Sequence, residues 1–287
     1  MLNKSTENLL AHALNIEETS AKDDKALGFM ARALVLCTMP HSNPKSNEFR
    51  RKNGNYLLTM YSPHGLPYGS VPRLLLAWIT TEAVRTKNQT LTLGHSLSEF
   101  MRGLDMAVTG GKTGSITRLR EQMKRLFSTY VSCSYNDHDQ DADTGFKIVQ
   151  RSQTWWHPQQ PDQAGLWEST LTLSQEFFEE ILAAPVPIDI RALKALKRSP
   201  MALDIYLWLT FRNSYLKTST VITWEQLRMQ FGAEYNRADN FKAAFTEALK
   251  KVAVVYPAAK IKPTDQGILI SPSPTHVPRQ GKTLVID

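Results

Sequence analysis

The spacing of apolar residues predicts the same succession of elements twice along this chain. The first stretch is expected to contain a strand at residues 56–61, a buried helix at 71–86, a short strand at 91–93, a helix beginning after Ser96, a helix at 116–130 and a hairpin at 131–151. The second is expected to contain a buried helix at 201–211, a short strand at 221–223, a helix ending at Gly232, a helix running to about residue 252 and a hairpin at 259–271. The pattern indicates that one structural unit occurs twice.

Helix-capping residues fall at corresponding places in the two stretches. The predicted caps are Ser70, Ser96 and Ser115 in the first and Ser199, Thr223 and Asp239 in the second, at separations of 129, 127 and 124 residues. Glu99 and Gln226 follow the middle caps at the spacing of a capping box. A helix, strand, helix, turn, helix and hairpin in this order form the winged-helix variant of the helix-turn-helix. We therefore predict an α+β, mainly helical fold with two tandem winged-helix domains.

The domain limits follow from the ends of the two stretches. Residues 56–184 are expected to form the first winged-helix domain and residues 185–275 the second. Apolar residues have helical spacing at 26–37, and residues 41–55 are polar and basic, so residues 1–55 are interpreted as an N-terminal helical appendage and linker. Residues 276–287 remain as a C-terminal tail.

The helix predicted at 116–130 carries apolar and basic residues on separate faces. The apolar face consists of Ile116, Leu119, Met123, Leu126, Phe127 and Tyr130, and the basic face of Arg118, Arg120, Lys124 and Arg125. In a winged helix this element enters the major groove, where arginine can donate two parallel hydrogen bonds to guanine O6 and N7. Arg118 and Arg120 are therefore candidate base-reading residues; the alternative is a solvated basic surface.

The corresponding helix of the second unit has a less basic outer face. Its predicted buried stripe consists of Phe241, Phe245, Ala248, Leu249 and Val252. Arg237 and Asn240 at its start could read bases, although a surface helix that only packs is the alternative. The full set of expected DNA-binding residues is Lys112, Thr113, Ser115, Thr117, Arg118, Arg120, Glu121, Lys124, Arg125, Arg237, Asn240, Lys242, Thr246, Lys260 and Lys262.

Charge and composition agree with a polyanionic partner. The 287 residues carry a formal net charge of +7, and the isoelectric point is near 9.3. Cys37 and Cys133 are too few and too far apart for a disulfide scaffold, which favours a reducing cytosol. The N-terminus has no signal-peptide pattern and no segment is apolar over ~20 residues, so we expect a cytoplasmic protein without membrane association. A soluble basic enzyme has the same bulk properties.

Motifs for catalysis, nucleotides or metals are incomplete. The glycine-rich loop at 110–114 lacks the first glycine of a Walker A motif because Met106 stands there, although Lys112 could still hold a DNA phosphate. The alternating aspartates Asp137, Asp139, Asp141 and Asp143 lack the glycine and glutamate of an EF-hand and indicate a solvated hairpin tip. No paired histidines or nucleophile elbow occur. We expect no catalytic residue, no metal and no cofactor.

Several segments of the sequence resemble the RepA family of plasmid replication initiators. The segments are NYLLTMYSPHGLPYGSVPRLLLAWITTEA, TGGKTGSITRLREQMKRLF, STLTLSQEFFEEIL, SPMALDIYLWLTFRNSY, ITWEQLRMQFG and GILISPSP, and they extend over roughly residues 55 to 275. SITRLREQMKRL, the most motif-like part, contains Arg118 and Arg120. The first 50 residues have no such likeness.

The resemblance implies binding to repeated double-stranded sites (iterons) at a plasmid origin, opening of the adjacent duplex, and recruitment of the host helicase, initiator and polymerase. It also implies a homodimer in equilibrium with a monomer, with the first winged-helix domain serving both the dimer interface and DNA. Control of copy number and repression of the protein's own gene by the dimer are implied as well. A tandem winged-helix transcriptional repressor is the second interpretation. A rolling-circle nicking enzyme is a third, against which the missing histidine pair argues.

Overall fold

Helices and antiparallel strands alternate along the chain in the computed structural model, which describes residues 4–36, 38–136, 141–165, 167–232 and 235–278. The helices there are α1 (Lys4–Glu18), α2 (Arg32–Leu36), α3 (Ser70–Thr86), α4 (Leu97–Gly103), α5 (Ser115–Phe127), α6 (Gln175–Ala183), α7 (Ile190–Leu196), α8 (Pro200–Asn213), α9 (Trp224–Phe231) and α10 (Ala238–Val255). The strands are β1 (Leu27–Ala31), β2 (Glu48–Asn53), β3 (Tyr56–Tyr61), β4 (Thr90–Thr92), β5 (Tyr130–Asn136), β6 (Asp141–Lys147), β7 (Val149–Gln153), β8 (Thr170–Leu173), β9 (Pro185–Asp189), β10 (Thr220–Thr223), β11 (Ile261–Pro263) and β12 (Gly267–Ile270). The fold is therefore mixed α/β.

The second stretch follows the predicted order of elements closely. It runs α8, β10, α9, α10, β11, β12, and its three strands lie in the order β10-β12-β11. The Ser199 hydroxyl caps α8, the Thr223 and Gln226 side chains form a complete capping box on α9, and Gly232 ends α9. The expected cap at Asp239 is wrong, because Arg237 is the N-cap of α10 and no side chain caps that end.

The first stretch contains the same unit with a hairpin inserted. After α3, β4, α4 and α5, the chain forms the hairpin β5–β6, which joins a four-stranded sheet in the order β2-β3-β5-β6. The strands β7 and β8 follow this hairpin in the chain. β8 pairs with β4 and β7 pairs with β8, so the strand order β4-β8-β7 corresponds to the order β10-β12-β11 of the second unit. The single hairpin predicted at 131–151 is therefore wrong in extent and in its sheet. Alternation of apolar residues shows that a strand exists but not which strand it pairs with.

The N-terminal region is built into the sheets. The helix expected at 26–37 is instead β1 followed by α2, and the stretch expected as a linker at 41–55 contains β2. A short apolar run fits either a strand or a helix, and here antiparallel pairing with β9 decides for the strand. Strand pairs therefore join residues on the two sides of the predicted limits at 55/56 and 184/185. The domain limits themselves stay a prediction.

Two other predicted helix starts and one helix end also differ. Gly69 caps α3 in place of Ser70, with a φ of 77° that glycine adopts readily, and Gly114 caps α5 in place of Ser115. α5 ends at Phe127, so Tyr130 is not on its apolar face but begins β5 and is 53% exposed. Ser96 does cap α4, whereas Glu99 accepts a hydrogen bond from the backbone of His95 rather than from that of Ser96.

A buried ion pair joins the first helices of the two units. The Arg73 guanidinium on α3 donates to both carboxylate oxygens of Asp204 on α8, at 2.6 Å each, and to the backbone oxygens of Met39, Pro40 and Gly69. His41 Nε2 lies 2.8 Å from the same carboxylate. Burial opposes ionisation of Asp204, but the charge and hydrogen bonds of Arg73 outweigh it and lower its pKa. The pair fixes α3, α8 and the segment before β2 against one another.

A second polar cluster holds the chain after β12 against α8. The Tyr206 hydroxyl accepts a hydrogen bond from the Asp189 backbone N–H (2.9 Å) and lies 2.7 Å from His276 Nδ1, to which it can donate its proton. The Arg191 guanidinium binds the Asp189 carboxylate and the Thr19 backbone at the end of α1. Burial lowers the pKa of His276, and Arg191 adds to the effect against the opposing charge of Asp189. His276 is therefore held in its neutral form.

Acidification should destabilise the protein through His276. Because its pKa is lowered in the folded state, the unfolded chain takes up this proton at higher pH than the folded protein does. This contribution to stability is complete well above the ordinary histidine pKa of about 6.5 and is lost as the pH falls from that value toward the lowered pKa of the folded state. Thermal midpoints measured from about pH 8 to about pH 5 should fall less steeply for His276→Gln than for the wild type. Equal slopes would contradict this assignment.

Candidate nucleic-acid interface

Helix α5 presents a basic outer surface, as predicted from its pattern. Ile116, Leu119, Met123 and Leu126 are buried. Thr117, Arg118, Arg120, Glu121 and Lys124 are exposed. Within the described part of the chain, Arg118, Arg120 and Lys124 make no ion pair, so their cationic groups are available to an external anion.

Arg125 lies on the same helix but is engaged within the protein. Its guanidinium pairs with Glu121 at 2.6 Å, donates to the Leu66 backbone oxygen at 3.2 Å and lies over the Tyr68 ring at 5.2 Å. Only 15% of its side chain is exposed. Arg125 therefore holds the turn before α3 against α5, and helical spacing alone could not separate it from Arg118.

The loop that precedes α5 is closed by its own hydroxyl groups. The Ser115 hydroxyl accepts from the Thr109 backbone N–H at 2.9 Å and donates to the Ala107 backbone oxygen, and Thr117 donates to the Gly111 backbone oxygen at 2.8 Å. Ser115 is buried. The predicted site residues Lys112 and Thr113 are exposed at the tip of the loop, whereas Ser115 positions the loop from inside.

Adding a methyl group at Gly114 should disrupt this loop, whereas adding one at Gly110 should not. A Cβ at Gly114 would overlap the backbone oxygens of Gly110 and Thr109, and a Cβ at Gly110 would meet nothing within 4 Å. Gly114→Ala should cost about 1–3 kcal/mol in the free energy of unfolding, in the range of overpacked sites. Gly110→Ala is the matched control and should be nearly neutral. Denaturant titration measures both; equal losses would rule out the steric explanation.

The start of α10 is the corresponding region of the second unit. Arg237 and Asn240 are exposed, with the Arg237 guanidinium 3.6 Å from the Asp239 carboxylate. Lys242 is exposed and its Nζ lies 5.2 Å from the centre of the Trp224 ring, while Thr246 is half-buried. The predicted buried stripe of α10 is confirmed. Fewer cations are available here than on α5.

The hairpin β11–β12 lies beside this helix pair. The Trp224 indole N–H donates to the Thr264 backbone oxygen at 3.1 Å, which fixes the hairpin loop against the start of α9. Lys260 and Lys262 are exposed at the outer strand of that sheet. In the first unit, Arg151 on β7 occupies the corresponding outer strand and is exposed. Arg151 is not among the predicted binding residues, because the sequence pattern places the first unit's hairpin at 131–151 and Arg151 at its end.

A match to a sequence model identifies the family of this chain. The sequence model described as "Plasmid encoded RepA protein" matches residues 66–226, which is more than half of the chain. This chain belongs to the RepA family. The matched segment of this RepA protein begins just before α3, includes α5 and its loop, and ends inside α9. No curated protein matches the chain.

Solved structures show a similar fold. The crystal structure of selenomethionine derivatives of domains 2 and 3 of RctB has a TM-score of 0.53 and 11% sequence identity, and covers 81% of this RepA-family chain and 94% of that chain. A second crystal structure of RctB domains 2–3 has a TM-score of 0.49 and 11% identity, with 81% and 95% covered. The first likeness supports the mixed α/β fold of this chain.

Two other predicted features of this RepA-family chain concern metals and membranes. Among the described residues, no group of three or more histidine, cysteine, aspartate or glutamate side chains is placed to hold a metal ion. Of the aspartates at the hairpin tip, Asp137 and Asp139 lie outside the described residues, and Asp143 is exposed on β6. No helix in the described part of the chain is both long and apolar enough to span a bilayer.

Proposed function

We propose that this protein is a plasmid replication initiator that binds repeated double-stranded DNA sites at its origin through two winged-helix units. Membership of the RepA family supports the role in replication. The observation that carries the binding mode is the exposed basic surface of α5, in which Arg118, Arg120 and Lys124 make no ion pair among the described residues. The protein would act in the bacterial cytoplasm.

The topology supports the winged-helix interpretation. Each unit has a helix, a short strand and two further helices before the strands that complete its sheet, and the three strands lie in the same order in both sheets. In this arrangement the third helix enters the major groove and the last two strands contact the backbone or minor groove. α5 and α10 are then the two recognition helices, and β7–β8 and β11–β12 the two wings.

The residue types divide between base reading and phosphate contact. Arg118 and Arg120 lie in the first half of α5, from which a recognition helix contacts base edges, and arginine can pair twice with guanine. Lys112, Lys260 and Lys262 lie in a loop or on an edge strand, where a point charge suits phosphate. We expect the first unit to contribute most of the base preference.

The later steps follow the resemblance to RepA initiators. We propose that site-bound protein promotes opening of the adjacent duplex and recruits the host helicase, initiator and polymerase, and that a dimer in equilibrium with the monomer represses the protein's own gene and limits copy number. In this proposal the protein is not an enzyme. Incubation with supercoiled plasmid and Mn²⁺ should therefore yield no nicked product, whereas nicking that requires one tyrosine would favour the rolling-circle alternative.

Selection of DNA from a random duplex pool tests the proposal. The enriched motif should occur as direct repeats, one or two helical turns apart, beside an AT-rich stretch in the source replicon. A lone inverted repeat at a promoter would favour the repressor instead, and no enriched motif would contradict specific recognition. For the selected site, the logarithm of the binding constant should fall with the logarithm of the salt concentration, with a slope of about −0.9 per phosphate contact.

A further inference from the structure

The outer face of the sheet β2-β3-β5-β6 is open and carries two adjacent tyrosines. Tyr61 on β3 and Tyr130 on β5 are directly opposite each other in the register, and they are 49% and 53% exposed. Side chains directly opposite on neighbouring antiparallel strands have Cβ atoms about 5 Å apart. The two tyrosines are therefore neighbours on the exposed face of the sheet.

The rest of this face is mostly polar, with small residues on β5 and β6 beside the tyrosines. The row beside the tyrosines consists of Arg50, Thr59, Ser132 and Gly145, and the row beyond it of Lys52, Leu57, Ser134 and Asp143. Because Thr59, Ser132 and Gly145 project little from the sheet, a planar group can reach the tyrosine rings. The inner face differs sharply, with Phe49, Met60, Val131 and Phe146 buried against the core.

A cation flanks the tyrosine pair on the β6 side. Lys147 is opposite Tyr130 in the register, with its Nζ 5.8 Å from the ring centre. At the other side, Glu48 is opposite Tyr61 but is paired with Arg50 at 2.6 Å, which offsets its charge. The Asp143 carboxylate lies on the same face but two rows from the tyrosines. The tyrosine row therefore favours an anion at the side of Lys147.

We propose that this face binds single-stranded DNA, with bases stacked on Tyr61 and Tyr130 and phosphates held by Lys147 and Lys52. Aromatic side chains on an open sheet combined with basic residues are the usual means of binding single strands. A duplex keeps its bases stacked inside and offers no base faces to the tyrosines. A second copy of the chain is a poorer occupant, because stable homodimer interfaces are larger and more apolar than two tyrosines and Leu57 among hydroxyls and charges. The site is additional to the proposed duplex binding on α5 and does not depend on it.

Fluorescence anisotropy with a labelled oligo(dT) of about 15 nucleotides tests this site, since single-strand sites span about 4–16 nucleotides. Tyr61→Ala and Tyr130→Ala should each weaken binding by about 5- to 150-fold, the range for loss of one stacked base. Tyr61→Phe and Tyr130→Phe keep the ring and should bind within about twofold of the wild type. Lys147→Ala should reduce the salt dependence, with a slope lower by about 0.7 for one lost phosphate contact.

Two control variants distinguish a loss of single-strand binding at this face from the loss of any exposed tyrosine and from a loss of duplex binding. Tyr56→Ala removes an exposed tyrosine from the inner face of the same strand, where its ring lies 4.9 Å from that of Tyr135, and should leave oligo(dT) binding unchanged. Arg118→Ala should weaken binding to the selected duplex but not to oligo(dT). Unchanged oligo(dT) binding by the Tyr61 and Tyr130 alanine variants would overturn the proposal. So would a change from dimer to monomer in sedimentation velocity without loss of oligo(dT) binding.

Discussion

Replacing Asp204 with asparagine is expected to lower the free energy of unfolding by about 3–5 kcal/mol, the range for breaking a buried ion pair from one side. The Arg73 side chain is 1% exposed and the Asp204 side chain 4% exposed, so neither charge can turn to water when its partner is lost. Asparagine keeps the shape of the aspartate but leaves the guanidinium without a counter-charge. The loss should be measured by denaturant unfolding of the full chain.

The matched control is a partly exposed ion pair on α3, the helix that carries Arg73. The Arg85 guanidinium lies 2.7 Å from the Glu82 carboxylate, but the Arg85 side chain is 70% exposed. Glu82→Gln should therefore cost less than about 1 kcal/mol. Similar losses for Asp204→Asn and Glu82→Gln would show that the buried network does not hold the two units together. Replacing both Arg73 and Asp204 with apolar residues should restore only part of the stability, because the buried charge is removed but the backbone oxygens of Met39, Pro40 and Gly69 lose their donor.

Replacing Arg118 and Arg120 with alanine should abolish most of the preference for the selected DNA site. Each arginine is expected to contribute about 1–3 kcal/mol to discrimination between the correct and the wrong base, so the double variant should lose far more affinity for the selected site than for random duplex DNA. Neither guanidinium forms an ion pair among the described residues, so little folding stability should be lost. Competition binding against both duplexes measures the difference.

Two other variants serve as controls for a loss of DNA affinity that does not depend on the base sequence. Lys262→Ala on the β11 edge strand should weaken binding to all duplexes alike and lower the salt slope by about 0.9. Arg85→Ala removes an exposed arginine from α3 rather than from α5 and controls for net charge. If the double arginine variant lost affinity for selected and random DNA equally, α5 would contact phosphates rather than bases, and the base-reading assignment would be wrong.

Local residue preferences were sufficient to predict most elements of the second unit and the two faces of α5. The caps at Ser199 and Thr223 and the helix end at Gly232 depend on hydrogen bonds and backbone preferences within a few residues, so the sequence can reveal them. The apolar and basic faces of α5 follow from a 3.6-residue period in the same way. The resemblance of its segment to RepA proteins agrees with the family match.

Errors arose where a residue outside α5 decides the role of a residue within it. Ser115 is a reasonable cap by residue type, yet its hydroxyl is used by Thr109 and Ala107, and Gly114 takes the capping position. Arg125 has the same spacing as the exposed cations, yet the turn before α3 lies against it. In both cases the competing partner lies in a separate segment, whose position no periodicity of α5 could predict.

The sequence by itself determined that a helix-rich unit occurs twice, that α5 is amphipathic and basic, and that the chain resembles RepA initiators. The tertiary structure alone decided the strand partners that are far apart in the chain: β1 with β9, β3 with β5, and β4 with β8. It thereby placed Arg151 on an outer strand and Tyr61 opposite Tyr130. The physical reason is that capping and helical periodicity act over about four residues, whereas strand pairing satisfies backbone groups that are tens of residues apart and fixes register through contacts made only in the folded chain.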